Sequence, residues 1–338
     1  MVIVGVWSCG RQVFMPDIRT LNLNPALDLQ LFIPQPTLGI LNRATRSYYE
    51  ASGKGLNVSG ALAAQGVGSK AIVPLGGPIG QVMRALLADT PFDLEIIPIT
   101  GASRANTKVI EEETGTMTEF NAPGPPLGDA ELAACREALL RDLTPGNQVV
   151  LSGSLPPTAP SDTYARLITD ADRLEVAAYV DAAGKALELS LAAKPQLAKP
   201  NRHEAELLLG ITIVTWGDAL TAARRVQQAG AKQVVLSLGG DGAIFLAEHS
   251  CLIATPPPIQ ARSTTGCGDA LIAGVLLGRR EGWGWERTTR YATAMATARA
   301  VMEGPGFPDA IQVAAYQGNI RVASAADIDP EVPLVHDR

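Results

Sequence analysis

From residue 122 onward, short apolar runs alternate with longer segments whose apolar positions recur every three or four residues. The runs read as buried strands and the longer segments as amphipathic helices. The pattern predicts helix 129–141, strand 148–152, helix 161–171, strand 175–181, strand 196–199 and a helix that stops at Gly210. Helix 217–229, strands from 233 and over 243–246, and closing helices over 268–280 and 287–303 follow. Before residue 122 the texture differs. Residues 18–28 read as a first strand that Pro25 ends, with Asp28 just beyond it. Short β-like patches at 29–33 and 47–49 precede a small-residue helix through Ala64, a strand and glycine turn at 67–76, and a helix at 81–88. Strands at 94–97, 107–110 and 116–120 follow, the last two joined by a hairpin turn at 113–116.

Strand and helix in regular alternation predict an α/β fold, a doubly wound, mostly parallel sheet flanked by helices. The strand-rich pieces within about 29–50 and 94–121 are placed together as a small β-sheet lid. Residues 1–15 lack the apolar core of a signal peptide and read as a disordered leader, with Met15 as an alternative start. Residues 16–318 then form one domain with its lid, and 319–338, weakly periodic, a tail without regular structure.

Composition narrows the classes. A chain of 338 residues can bury a large core. A net charge of −6 and a pI near 5.2 argue against nucleic acid and anionic membrane as partners. No apolar run reaches membrane-spanning length. Cys9, Cys135, Cys251 and Cys267 are scattered without zinc or CxxC spacing, which suits a reducing, cytoplasmic setting.

The candidate chemistry gathers on Ser263-Thr264-Thr265-Gly266-Cys267-Gly268-Asp269-Ala270. Gly266 and Gly268 let successive N–H groups converge into an anion-binding nest, and the helix that starts there adds the positive end of its dipole. Asp269, in the first turn, is placed to take a proton from an attacking hydroxyl beside that nest. The plainer reading is a glycine turn with Asp269 as a helix cap. Cys267 as a nucleophile would need a base, and no histidine is placed to serve. In Ala51-Ser52-Gly53-Lys54-Gly55-Leu56-Asn57-Val58, Gly53 and Gly55 permit close backbone approach to a ligand that Lys54 and Asn57 face. It is no Walker loop, because Tyr48 stands where glycine is needed and Gly55 where Ser or Thr would hold magnesium.

Arg104, Asn106 and Lys108 alternate, so a strand points them to one face as a phosphate clamp, or as a merely exposed polar face. Ser237 to Gly242, with Gly239 among its glycines, reads as a nucleotide-phosphate cradle or as a hairpin. Asn201 and Glu204 share a helical face and suit a magnesium ion held through water, or a plain cap with a first-turn acid. Asp181 ends a strand and reads as structural.

Taken together, these stretches resemble the ribokinase-like (PfkB) family of carbohydrate kinases. Residues 51–58 are similar to its first motif and 265–274 to its second, in the right order and at the right separation. Leu23-Asn24-Pro25-Ala26-Leu27-Asp28, residues 103–108, Ser152-Gly153-Ser154-Leu155-Pro156 and Lys199-Pro200-Asn201-Arg202-His203-Glu204 look like its hexose-phosphate branch, the 1-phosphofructokinases and tagatose-6-phosphate kinases. The resemblance implies an ATP- and Mg²⁺-dependent sugar-phosphate kinase acting on fructose 1-phosphate, with tagatose 6-phosphate as the alternative. It gives Asp269 as proton acceptor and Gly266, Cys267 and Gly268 as the anion hole. Asp28, Gly53, Lys54, Asn57, Arg104, Asn106, Lys108 and Ser152 would hold the sugar phosphate. Lys199, Asn201, Ser237, Gly239 and Gly242 would contact ATP, and Glu204 would hold Mg²⁺ through water. The lid is a natural surface for a homodimer. Three positions depart from the family pattern: Cys267 for alanine, Ser52 for glycine and Asn22 for threonine. Two other classes compete. A silent sugar-phosphate sensor would bind without releasing ADP, and a nicotinamide oxidoreductase would need a GxGxxG stretch that the chain lacks.

Overall fold

The computed structural model describes residues 18–335, so the expected leader at 1–15 lies outside the described residues. The first strand, β1 (Ile18–Leu21), is buried along its whole length, because it enters the middle of a sheet covered on both faces. Asn22 to Pro25 break the strand, and the chain re-enters as β2 (Ala26–Ile33) in a second, smaller sheet. The first strand thus ends before Pro25, the patch expected at 29–33 starts already at Ala26, and Asp28 lies inside the lid rather than beyond a strand end.

β3 (Arg46–Ser52), α1 (Lys54–Ala64), β4 (Lys70–Leu75), α2 (Gly77–Leu86), β5 (Asp93–Pro98), β6 (Arg104–Glu111) and β7 (Met117–Phe120) follow. Next come α3 (Asp129–Leu140), β8 (Gln148–Ser152), α4 (Thr163–Arg173), β9 (Ala177–Asp181), α5 (Gly184–Ala192), β10 (Leu197–Ala198) and α6 (Arg202–Leu209). The last elements are α7 (Trp216–Gln228), β11 (Gln233–Ser237), β12 (Ala243–Leu246), β13 (Cys251–Thr255), α8 (Cys267–Arg280), α9 (Trp285–Ala300), α10 (Ala310–Gln317) and β14 (Arg321–Ser324).

Among the described residues, ten strands form the main sheet in the order β14-β13-β12-β11-β10-β9-β8-β1-β4-β5. Pairing is parallel from β11 through β5 and antiparallel from β11 out to β14. The α/β class and the mostly parallel sheet are as expected. Residues 94–97, expected in the lid, belong instead to β5 at the edge of the main sheet. There Leu94 and Ile96 pack with the apolar cluster of β4 and α2, while Ile97 joins the core on the other face. One core lies under α3, α4, α5 and α7, and a second on the opposite face under α1, α8 and α9. Gly274 makes the α8–α9 contact possible, since a Cβ there would fall 2.4 Å from Ala292 Cα.

The lid has the order β3-β2-β6-β7. Its register sets Asp28 beside Glu50 and Asn106, and Gln30 beside Tyr48 and Lys108. The tail is also structured, contrary to expectation. β14 pairs with β13, and residues 330–335 run along the start of α7. Gly217 N donates to Pro330 O (2.8 Å), Trp216 N to Val332 O (3.1 Å), and Leu334 N to Val214 O (2.9 Å). Backbone hydrogen bonds rather than apolar periodicity hold this segment, which is why its side-chain pattern is weak. Its final contact is Val335 N donating to Asp241 Oδ1 (2.9 Å).

Candidate active site

Gly266, in a left-handed conformation (φ 81°), leads into α8, with no side chain capping the helix's first N–H groups. A helix start left open in this way offers donors and a dipole to an anion. Asp269, in its first turn, is buried, and Asn57 Nδ2 from the first turn of α1 donates to its Oδ2 at 2.7 Å. That bond joins the two motifs across 212 residues of sequence. Burial and the Asp181 carboxylate push Asp269 up to about 6, against the pull of Lys54, the Asn57 amide and Lys199. Asp269 is therefore no cap but a carboxylate poised near neutrality. Cys267 Sγ donates to Ser263 O (3.5 Å), and burial pushes the thiol up to about 11, so it stays protonated and unreactive at neutral pH.

Beside this helix start, the ends of β9 and β10 contribute a compact charge cluster. Asp181 is fully buried, with Lys54 Nζ 2.9 Å from Oδ1 and Lys199 Nζ 3.4 Å from Oδ2. Burial opposes its charge, yet Lys199 and Lys54 overcome this and hold its pKa below the usual value. Lys54 also lies 3.6 Å from Glu204 Oε1. Burial works against its ammonium, but Asp181, Glu204 and Asp269 together raise its pKa. A Cβ on Gly268 would lie 3.1 Å from Lys199 Nζ, which puts that ammonium against the nest. Asp181, read from sequence as structural, is the hub that seats both lysines. Lys54, expected to join Arg104 and Lys108, makes its contacts on this wall instead.

Across the cleft, the lid presents a second cluster. Lys108 Nζ lies 2.8 Å from Asp28 Oδ2, and Asn106 Nδ2 donates to Asp28 Oδ1 at 2.9 Å. Asn106 and Lys108 are 6% and 4% exposed, so the exposed-strand alternative fails for them. Arg104 shares their face but donates to Ala122 O (3.0 Å) and Asn24 O (2.8 Å), with a buried Nε left unpartnered. Farther out, a cavity of about 470 Å³ opens between the lid face at Gln30, Tyr48 and Glu50 and the loop at 261–265, with Arg299 on its floor. Burial holds Glu50 above the usual carboxylate range.

The remaining expected residues fall as follows. Asn201 and Glu204 form a reciprocal capping box, Glu204 N donating to Asn201 Oδ1 (2.8 Å) and Asn201 N to Glu204 Oε2 (2.9 Å). Glu204 Oε1 stays outside that box and faces Lys54. Ser237 bridges Asn201 at the same sheet edge. Gly239 has positive φ with open space around it, whereas Gly242 serves the hairpin, since a Cβ there would meet Ala254 O at 2.0 Å. Ser152 is fully buried with its Oγ unpartnered, and Ser154 is the serine that meets Asn24. Gly53 is explained by Asn22, whose Nδ2 would lie 1.6 Å from a Cβ there. Asn22 itself is buried with that Nδ2 unpartnered. Among the described residues, no group of three or more His, Cys, Asp or Glu could enclose a metal ion, and no helix is long and apolar enough to cross a membrane.

Residues 27–310 match the model of the pfkB family carbohydrate kinases. The chain is 31% identical over 295 residues to the 1-phosphofructokinase of Bacillus subtilis, covering 87% of this chain and 96% of that one. It is 32% identical over 292 residues to the ATP-dependent 6-phosphofructokinase isozyme 2 of Escherichia coli, covering 86% and 94%. The fold is similar to the crystal structure of E. coli phosphofructokinase-2 in complex with fructose 6-phosphate, with a TM-score of 0.83 and 30% identity over 90% of this chain and 99% of that one.

Proposed function

Since the chain belongs to the PfkB family of carbohydrate kinases and transfers phosphate from ATP to an alcohol, we propose that its acceptor is the free primary hydroxyl of a ketohexose monophosphate. Fructose 1-phosphate, giving fructose 1,6-bisphosphate, is the first candidate. The observation that carries this reading is the Asn57–Asp269 hydrogen bond, which sets a carboxylate of raised pKa at the uncapped start of α8.

Asp269 takes the proton of the attacking hydroxyl, while the N–H groups at Gly266 to Gly268 receive negative charge on the γ-phosphoryl group. Lys199, beside Gly268, and Lys54, on the same Asp181, add cationic charge along the phosphates. Asp28, with Asn106 and Lys108, orients the sugar hydroxyls and the phosphate already present, and Arg104 fixes the root of the lid against them. A lid shut over the sugar excludes water and limits futile ATP hydrolysis. The acid donors fit Mg²⁺ held through water rather than caged directly, with Glu204 Oε1 as the protein's contact. When bound, the ion would neutralise charge on the β- and γ-phosphate oxygens. Leu29, Leu31 and the 58%-exposed Tyr49 alternate away from Asp28 and Gln30 along paired strands. That outer lid face is the surface we assign to a homodimer.

The test is ADP release with Mg·ATP on fructose 1-phosphate, tagatose 6-phosphate, fructose 6-phosphate and fructose. A preference for fructose 1-phosphate of about a hundredfold in kcat/KM, roughly 2.7 kcal/mol in transition-state binding, is expected. No turnover on any phosphorylated sugar overturns the assignment, and binding without ADP release would leave a sensor.

A further inference from the structure

Arg299, in the last turn of α9, is 5% exposed and makes no ion pair among the described residues. A guanidinium taken out of water without a direct ion pair is costly, and the carboxylate that feels its charge is Glu50, on the lid face of the same cavity. Nη1 donates to Met302 O (3.3 Å), Nη2 donates to Gly304 O (3.1 Å), and the Phe307 ring centroid lies 5.8 Å from Cζ. Nε has no partner. On that side lies Gly266, where a Cβ would be 3.3 Å from Arg299 Nε and 3.3 Å from Phe307 Cε1. The same end of α9 also holds the loop that leads into the nest, because Ala300 O accepts from Arg262 N (2.7 Å) and Ser263 N (3.1 Å).

The position is favourable for a cation at the C-terminal end of α9, where it meets the carbonyls of Met302 and Gly304 just past the helix, and unfavourable with respect to α8, whose N-terminal dipole it faces. A cation wedged between those two ends becomes favourable when an anion occupies the start of α8. We propose that Arg299 is a positioning residue for phosphoryl transfer: it props Gly266 in its left-handed conformation and sets a fixed positive charge behind the anion nest. The residue acts through the nest rather than by touching the sugar. The inference rests on the phosphotransfer reading of the site and extends it to a side chain that no motif contains.

Three variants test it: Arg299→Gln, Arg299→Lys and Arg299→Ala. The glutamine variant lowers kcat by about thirtyfold, with KM for ATP and for the sugar phosphate within about threefold of the parent. The lysine variant recovers most of that loss, and millimolar guanidinium restores part of the activity of the alanine variant. Affinity for ADP with aluminium fluoride and Mg²⁺, which requires no acceptor sugar, falls at least tenfold in the glutamine variant. A kcat within threefold of the parent in Arg299→Gln, or equal damage in the glutamine and lysine variants, overturns the proposal. Failure of both to fold assigns the side chain to the scaffold and overturns it too. The readings fail separately: parent enzyme inactive on every sugar phosphate removes the acceptor assignment, while unchanged ADP–aluminium fluoride affinity removes Arg299.

Discussion

The two walls of the cleft use the same pair of residue types, a buried aspartate and its lysine, yet they are assembled differently. In the lid, Asp28 on β2 has Asn106 as its cross-strand partner and Lys108 as its diagonal neighbour, both on β6 of the same small sheet. On the floor, Asp181 ends β9, Lys199 follows β10, and Lys54 and Asp269 come from the starts of α1 and α8. The lid pairs its acid and base closely, Asp28 with Lys108 at 2.8 Å. The floor divides one aspartate between two lysines at 2.9 and 3.4 Å and leaves a second aspartate, Asp269, with a raised pKa. A wall whose central acid is tied to a lysine and an amide, with Glu50 and Glu119 beside them, is suited to holding a ligand. A wall with one poised carboxylate beside shared cations is suited to moving a proton. On the proposed reading, binding belongs to the lid and chemistry to the floor.

The division can be attacked from its strongest side. Asp269→Asn removes the proton acceptor while keeping the Asn57 contact, and kcat should fall at least a thousandfold, about 4 kcal/mol of barrier. Turnover within tenfold of the parent would show that the floor does not supply the base. On the lid, Lys108→Met should raise KM for the sugar phosphate about thirtyfold and leave kcat within about threefold. A loss confined to kcat would erase the contrast between the walls.

A milder probe is pH. Asp269 works ionised, and its pKa of about 6 in the free enzyme places the acid limb of kcat/KM near that value. The rate should level off above pH 7 and drop about tenfold by pH 5, whereas a profile flat to pH 4.5 would contradict the raised pKa. The smallest effect belongs to Cys267→Ala, expected within twofold of the parent, with iodoacetamide leaving the native thiol unlabelled at pH 7.5.

The open start of α8 was legible because glycines and an aspartate at a helix start are written in local sequence, and so Gly266, Gly268 and Asp269 could be found in one stretch. The lid clamp was legible through strand alternation, which put Asn106 and Lys108 on one face. Asp181 was not, since a single aspartate at a strand end looks alike whether it caps a turn or seats two lysines from elsewhere. The partners of Lys54 were hidden for the same reason, since its ion pairs with Asp181 and Glu204 depend on β9 and α6. β5 carried the same apolar and polar texture as the lid strands, and only its pairing with β4 assigns it to the main sheet. Arg299 gave no signal, because a lone arginine late in a helix is indistinguishable from a surface residue until Gly266 is seen packed on it.

The bond from Val335 to Asp241 has a consequence for the order in which the protein matures. Asp241 belongs to the Gly239–Asp241 turn beside Ser237, so one edge of the expected nucleotide cradle is fastened by a strap that follows β14 in the chain. During synthesis, domains fold as their residues emerge, at about 5–20 residues per second. Residue 335 therefore emerges seconds after the strands β1 to β11 have been made. The turn at Gly239–Asp241 thus receives its bond from Val335 only after the strands that flank it have been made.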